Sequence, residues 1–113
     1  MKPLRIFVSG PYSADTAEKR EANTQRAIDA GIAIIHRGHH AYIPHLTHYL
    51  DIRATAIGQP LGYEDYMRLD LEWLHFCDAL LTIGSSPGAD RELQFAERNG
   101  LIIYRSVWDV PVV

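Results

Sequence analysis

The sequence predicts a single α/β domain over residues 1–113, a parallel sheet of four to five strands flanked by helices. Two observations carry this reading. Short apolar runs alternate with longer segments of helical periodicity, and Gly or Pro punctuates most of the junctions. At 113 residues the chain can bury one core but not two, so no domain boundary is expected.

Residues 4–9 form an apolar run stopped by Gly10-Pro11, which reads as a buried first strand. Residues 17–37 are mostly good helix formers, with Ala27, Ala30 and Ile34 beside the row Ile28, Ile32 and Ile35, and Gly38 as the stop. A second strand is expected at 40–43, ended by Pro44. From there to residue 62 the Gly and Pro content suggests a long irregular connection, the kind of segment that carries function. Residues 63–77 read as a helix with Tyr66, Leu69, Asp70, Trp73 and Cys77 on one stripe and Arg68, Glu72 and His75 opposite. A third strand follows at 79–83, a Gly/Ser loop at 84–90, a helix at 91–99 and a fourth strand at 101–104. Strands that alternate with helices need crossover connections, so the sheet should be parallel, covered on both faces and Rossmann-like.

Composition excludes several function classes. The formal charge is −3, and the 11 basic residues form no run that could track a phosphate backbone, so no nucleic acid polymer is expected as partner. No stretch approaches the roughly 20 apolar residues of a bilayer span, and the first residues offer only the apolar run 6–8 in place of a signal segment. A lone cysteine, Cys77, cannot form an intramolecular disulfide. A cytoplasmic setting is the expectation.

In a parallel sheet, ligands bind beyond the carboxyl ends of the strands, so the loops after strands one, two and three are where chemistry is expected. They hold Ser9-Gly10-Pro11-Tyr12-Ser13, Pro44-His45-Leu46-Thr47-His48, and Gly84-Ser85-Ser86-Pro87-Gly88-Ala89-Asp90-Arg91-Glu92. The third is the strongest signal, because glycines and serines that open a helix can aim N–H groups at an anion. It lacks the Gly-Lys-Ser/Thr of a P-loop. Glu92 is then expected in the first turn of its helix, where the macrodipole favours an ionised carboxylate. It is either a nucleophile or a group that stabilises its helix end. Asp70, on a core-facing stripe, must be paired, as a cap or in a salt bridge at the edge of the sheet, or used. Two carboxylates converging on one cleft are the equipment for attack at an anomeric carbon.

The histidines raise a metal site as a rival: His45 and His48, with Asp51 and the nearby His36, His39 and His40. Pro44 precedes them and no His-Glu-x-x-His pattern occurs, so no metal is expected. Tyr42, Tyr49, Tyr63 and Tyr66 are either base-stacking residues or core and interface aromatics.

Asp70-Leu71-Glu72-Trp73-Leu74, Cys77-Asp78-Ala79, Ser86-Pro87-Gly88 and Glu92-Leu93, with Phe7-Val8-Ser9-Gly10-Pro11-Tyr12, resemble the nucleoside 2-deoxyribosyltransferase superfamily, nearest its 2'-deoxynucleoside 5'-monophosphate N-glycosidase branch. The resemblance runs over residues 5–104. It implies that Glu92 attacks C1' to form a glycosyl-enzyme, that Asp70 orients the sugar or assists proton transfer, and that Tyr12 lies near sugar and base. It implies substrate contacts from Ser9, Gly10, Pro11, His45, Ser86, Gly88, Asp90 and Arg91, and no cofactor. Ser86 tilts the branch toward a monophosphate, because relatives acting on free nucleosides carry an aspartate there, and an aspartate repels phosphate. The monophosphate branch's basic first-loop residue is absent from Tyr12-Ser13-Ala14-Asp15, which leaves Arg91 as the substitute cation. A homo-oligomer, dimer or tetramer, is also implied, with Arg105 and Ser106 as weak candidates for residues lent to a neighbour. The alternatives are a transferase that moves the sugar to another base, a hydrolase of a larger ribosyl substrate, and a non-catalytic nucleotide-binding module.

Overall fold

A computed structural model describes residues 1–113. The sheet has four parallel strands, β1 (Arg5–Ser9), β2 (His40–Tyr42), β3 (Ala79–Thr82) and β4 (Ile102–Tyr104), in the order β2-β1-β3-β4. The chain crosses from β1 to β2 through α1 (Ala17–His36), and from β3 to β4 through α4 (Pro87–Arg98). Between β2 and β3 lie α2 (Thr47–Ala56) and α3 (Tyr63–Leu74). The α/β expectation therefore holds, with four strands.

Strand parity divides the core in two. Ile6 and Val8 of β1, with Ala79 and Leu81 of β3, face α1 and meet Ala27, Ala30, Ile34 and the tail residue Val110. Phe7 and Leu80 face the other way, against Leu74 of α3 and Ala96 of α4. The same alternation puts Ser9 on the face of Phe7, the α4 side. His39 ties the tail to this frame: its Nδ1 accepts from the Leu4 N–H at 3.0 Å and its Nε2–H donates to the Pro111 carbonyl at 2.6 Å.

Three expectations need correction. The stretch 44–62 is not one irregular loop. Pro44 opens a 3₁₀ turn over Pro44–Leu46 that runs into α2, and Thr47 Oγ1 donates to the Pro44 carbonyl at 2.7 Å. Its helix breakers are confined to the two ends, Pro44 and then Gly58, Pro60 and Gly62, and the interior is free to coil. The helix expected at 91–99 begins four residues earlier, because Ser86 caps it by accepting from the Ala89 N–H at 3.1 Å and Pro87 occupies its first turn. Finally, the buried row of α3 is Met67, Asp70 and Leu74, whereas Leu69 and Trp73 stand 41% and 54% exposed. Asp70 belongs to both rows, so it stays inward while its expected apolar neighbours do not.

Candidate functional site

Strand order reverses direction between β1 and β3, and beyond their carboxyl ends lies the crevice where open α/β sheets bind ligands. A cleft of about 370 Å³ opens there, within the usual size range for small-molecule sites. Gly84, at φ +159, brings the third loop against the first: a Cβ on it would stand 2.9 Å from Pro11 Cδ.

Glu92 and Asp70 form the deep wall. Glu92 is 5% exposed and Asp70 9%. Ser9 Oγ, turned toward α4 by strand parity, donates to Glu92 Oε1 at 2.7 Å. Burial pushes the Glu92 carboxyl well above its ordinary range, and the neighbouring Asp70 pushes it further, with the Ser9 hydrogen bond opposing. Burial likewise raises Asp70 to about 6, and its Oδ1 has no partner within the protein. Two neighbouring carboxyls this dry oppose each other's ionisation, so both release their protons at higher pH than free carboxyls do. This revises the basis of the sequence reading. Glu92 is six residues beyond the Ser86 cap, past the turn where the macrodipole acts. Its charge is governed by burial, by Asp70 and by Ser9.

The opposite side of the cleft is built from the loop after β1 and from the segment 44–51. His45 Nε2 lies 3.0 and 3.1 Å from the Gly10 and Pro11 carbonyls, so that nitrogen carries the hydrogen and Nδ1 is a lone pair without a partner. Burial holds the His45 imidazole below its ordinary range, opposed by those two carbonyls. Tyr12 Oη sits 2.7 Å from His48 Nδ1, and His48 Nε2 is 2.9 Å from Glu21 of α1. Tyr66 Oη donates to Asp51 Oδ1 at 2.8 Å.

Of the residues expected at a substrate, Gly10, Tyr12, His45, Asp70, Ser86, Gly88 and Glu92 line this one cleft. Ser9 acts from behind Glu92, and the Pro11 carbonyl acts through His45. Asp90 and Arg91 do not line it. The earlier helix start rotates both outward: Asp90 accepts from Ser85 Oγ at 2.8 Å, and Arg91 pairs with Glu64 at 2.7 Å and lies over the Tyr63 ring. Arg91 is thus no substitute cation for a ligand in the cleft. The sequence reading did not single out Ser13, Thr47 or Met67, which also line it, nor assign Tyr63, Tyr66 or Asp51 to it. Those on α2 were hidden by reading 44–62 as a loop, and Met67 of α3 by placing the helix's inward stripe on Leu69 and Trp73. Three of the histidines considered for a metal make other contacts: His45 binds carbonyls, His48 binds Tyr12 and Glu21, and His39 ties the tail.

Residues 4–106 match the model of a domain family described as a domain of unknown function, DUF7768. The chain belongs to the DUF7768 family. The matched span contains all four strands and every cleft residue, so this DUF7768 domain carries the whole candidate site. No curated protein matches the chain. No helix is long and apolar enough to cross a membrane.

Proposed function

We propose that this chain is an N-glycosidase that cleaves the base–sugar bond of a nucleoside 5'-monophosphate through a glycosyl-Glu92 intermediate. The carrying observation is the buried Asp70–Glu92 pair, both carboxyls raised by burial, with Ser9 donating to Glu92 at the wall of a ligand-sized cleft. One carboxylate and one carboxylic acid is the complement that glycosidic cleavage needs. Burial and the neighbouring Asp70 raise Glu92 above Asp70, against the opposing Ser9 hydrogen bond, so the reaction needs the proton passed from Glu92 to Asp70, whose Oδ1 is unpartnered, before attack.

In the first step Glu92 attacks C1', the C1'–N electrons leave with the base, and the base takes the Asp70 proton. In the second, water adds to C1', gives its proton to Asp70, and the ester electrons return to Glu92. Resolution by a second base would make the same intermediate a transferase intermediate. The resemblance to the nucleoside 2-deoxyribosyltransferase superfamily supports this order of events. The monophosphate preference rests on Ser86, whose Oγ accepts from Ala89 and so keeps its hydrogen free to donate, beside the Gly88 N–H of the first turn. A cytoplasmic setting, resting on the lone thiol Cys77, belongs to the same proposal.

The test is incubation with ribo- and deoxyribonucleosides and their 5'-monophosphates, with and without an acceptor base, read by mass spectrometry. Free base indicates hydrolysis and a new nucleoside indicates transfer. Glu92→Gln is expected to abolish base release while nucleotide affinity stays within about tenfold, or ~1.4 kcal/mol. Undiminished release by that variant would remove Glu92 as nucleophile. Binding without turnover of any member would favour a non-catalytic module.

A further inference from the structure

The hydrogen atoms on the α2 side of the cleft can be assigned one by one. Hydrogen bonds from Gln25 and Tyr49 hold the Glu21 carboxyl below its ordinary range, so Glu21 is an acceptor. His48 Nε2, facing it at 2.9 Å, must therefore be the donor. In a neutral ring this leaves Nδ1 as a lone pair, and the one proton of Tyr12 points inward to it over 2.7 Å. What Tyr12 can offer a ligand is an oxygen lone pair. Tyr66 spends its proton on Asp51 in the same way, and Asp51 as a carboxylate has none. His45 spends its hydrogen on two carbonyls and leaves Nδ1 unpaired. Thr47 has given its hydrogen to Pro44. On this side only the exposed Ser13 hydroxyl is free to turn either way, while the free Tyr63 hydroxyl lies at the other end, against Gly88.

Donors gather at the other end, where the Ser86 hydroxyl and the Gly88 N–H open α4. The cleft is therefore polarised, with hydrogens at the α4 end and lone pairs along Tyr12, His45, Asp51 and Tyr66. No Lys or Arg lines it.

We propose that this lone-pair wall reads the base edge of the ligand and selects an amino-bearing base over its oxo counterpart, with the Glu21–His48 pair acting as the positioning element that keeps Tyr12 an acceptor. The proposal rests on the nucleotide reading above, which puts the sugar at Glu92 and the 5' end at Ser86. An exocyclic amino group brings two hydrogens to a wall whose only movable hydrogen is that of Ser13, whereas a carbonyl oxygen would mostly face lone pairs and lose its water without replacement.

The experiment is calorimetric binding to the full chain carrying Glu92→Gln, so that turnover does not intervene. The ligands are the 5'-monophosphates of deoxyadenosine against deoxyinosine and of deoxycytidine against deoxyuridine. The amino member is expected to bind at least tenfold tighter in one pair or both. In the same background Asp51→Asn and Tyr12→Phe are expected to cut that ratio to within about threefold, and His48→Phe to weaken it while Ser86-end contacts, read as the monophosphate-to-nucleoside affinity ratio, stay unchanged. Circular dichroism melts check that each variant folds. Equal binding within both pairs, tighter binding of the oxo members, or no binding of any member overturns the proposal. So does a preference that survives both Asp51→Asn and Tyr12→Phe. An amino preference in a chain whose wild type releases no base would leave this proposal standing and remove the glycosidase.

Discussion

At Asp70 the proposed chemistry and the stability of the fold oppose each other. Its carboxyl rises from 3.8 to about 6 on folding, mainly because burial penalises the charge. A raised carboxyl means that the native state holds its proton where the unfolded chain has released it. Stability is therefore fully present below pH 4 and is lost as pH rises toward 6. Two units correspond to ~3 kcal/mol, an upper figure because Asp70 titrates together with Glu92. Asp70→Asn removes the titration. It is expected to be ~1–3 kcal/mol more stable than the wild type at pH 8 but near it at pH 4, by urea unfolding, while base release falls ~10²–10⁴-fold. An equal stability change at both pH values would mean that burial does not set this proton. Asp70 was legible in the sequence as a carboxylate that had to be paired or used. Its proton was not, because the charge of a buried pair depends on a distance between α3 and α4 that no spacing along the chain encodes.

At the scale of elements, strands and the long α1 were readable because apolar periodicity reports burial directly. The second half of the cleft was not, since α2 carries so little of that signal. Only His48 of its ten residues is buried. A helix that buries a polar residue and leaves its apolar ones outside looks like a loop to any periodicity argument. The placement of His45 depends in turn on how closely α1 approaches the chain just before it. Gly31, buried in α1, lies against Ile43, and a Cβ there would fall inside the Ile43 side chain, 2.7 Å from Cγ1. Gly31→Ala should gain ~1 kcal/mol in helix propensity. Overpacking is expected to outweigh that gain, giving a net loss of ~1–2 kcal/mol in chemical denaturation. The displaced 43–45 segment should also lower ligand affinity. A stabilised variant with unchanged affinity would show that Ile43 has room to turn aside.

The whole molecule is elongated, 46 × 26 × 21 Å, and its apolar side chains are unevenly covered. Leu46, Tyr49, Leu50 and Ile57 on and around α2, with Leu69, Trp73 and Phe76 on and after α3, are all exposed. Single exposed leucines mean little, but two successive helices that turn large apolar groups outward are a surface in want of a cover. Its neighbourhood gives it consequence, because α2 and α3 also carry His48, Asp51, Tyr66 and Asp70. A ten-residue helix is marginal by itself in water, and α2 is fastened to its own chain by polar contacts of His48, Tyr49 and Asp51 rather than by a buried apolar face. A second copy laid across this face would hold the acceptor wall in shape. The expected outcome in sedimentation at micromolar concentration is a dimer or tetramer. Leu50→Glu should shift it toward single chains, speed amide exchange in α2 and weaken ligand binding, while exchange in β1 and β3 stays slow. A wild type that sediments as a single chain at every concentration, with α2 amides as protected as those of β1, would mean that the wall is held from within and that the apolar face has another purpose.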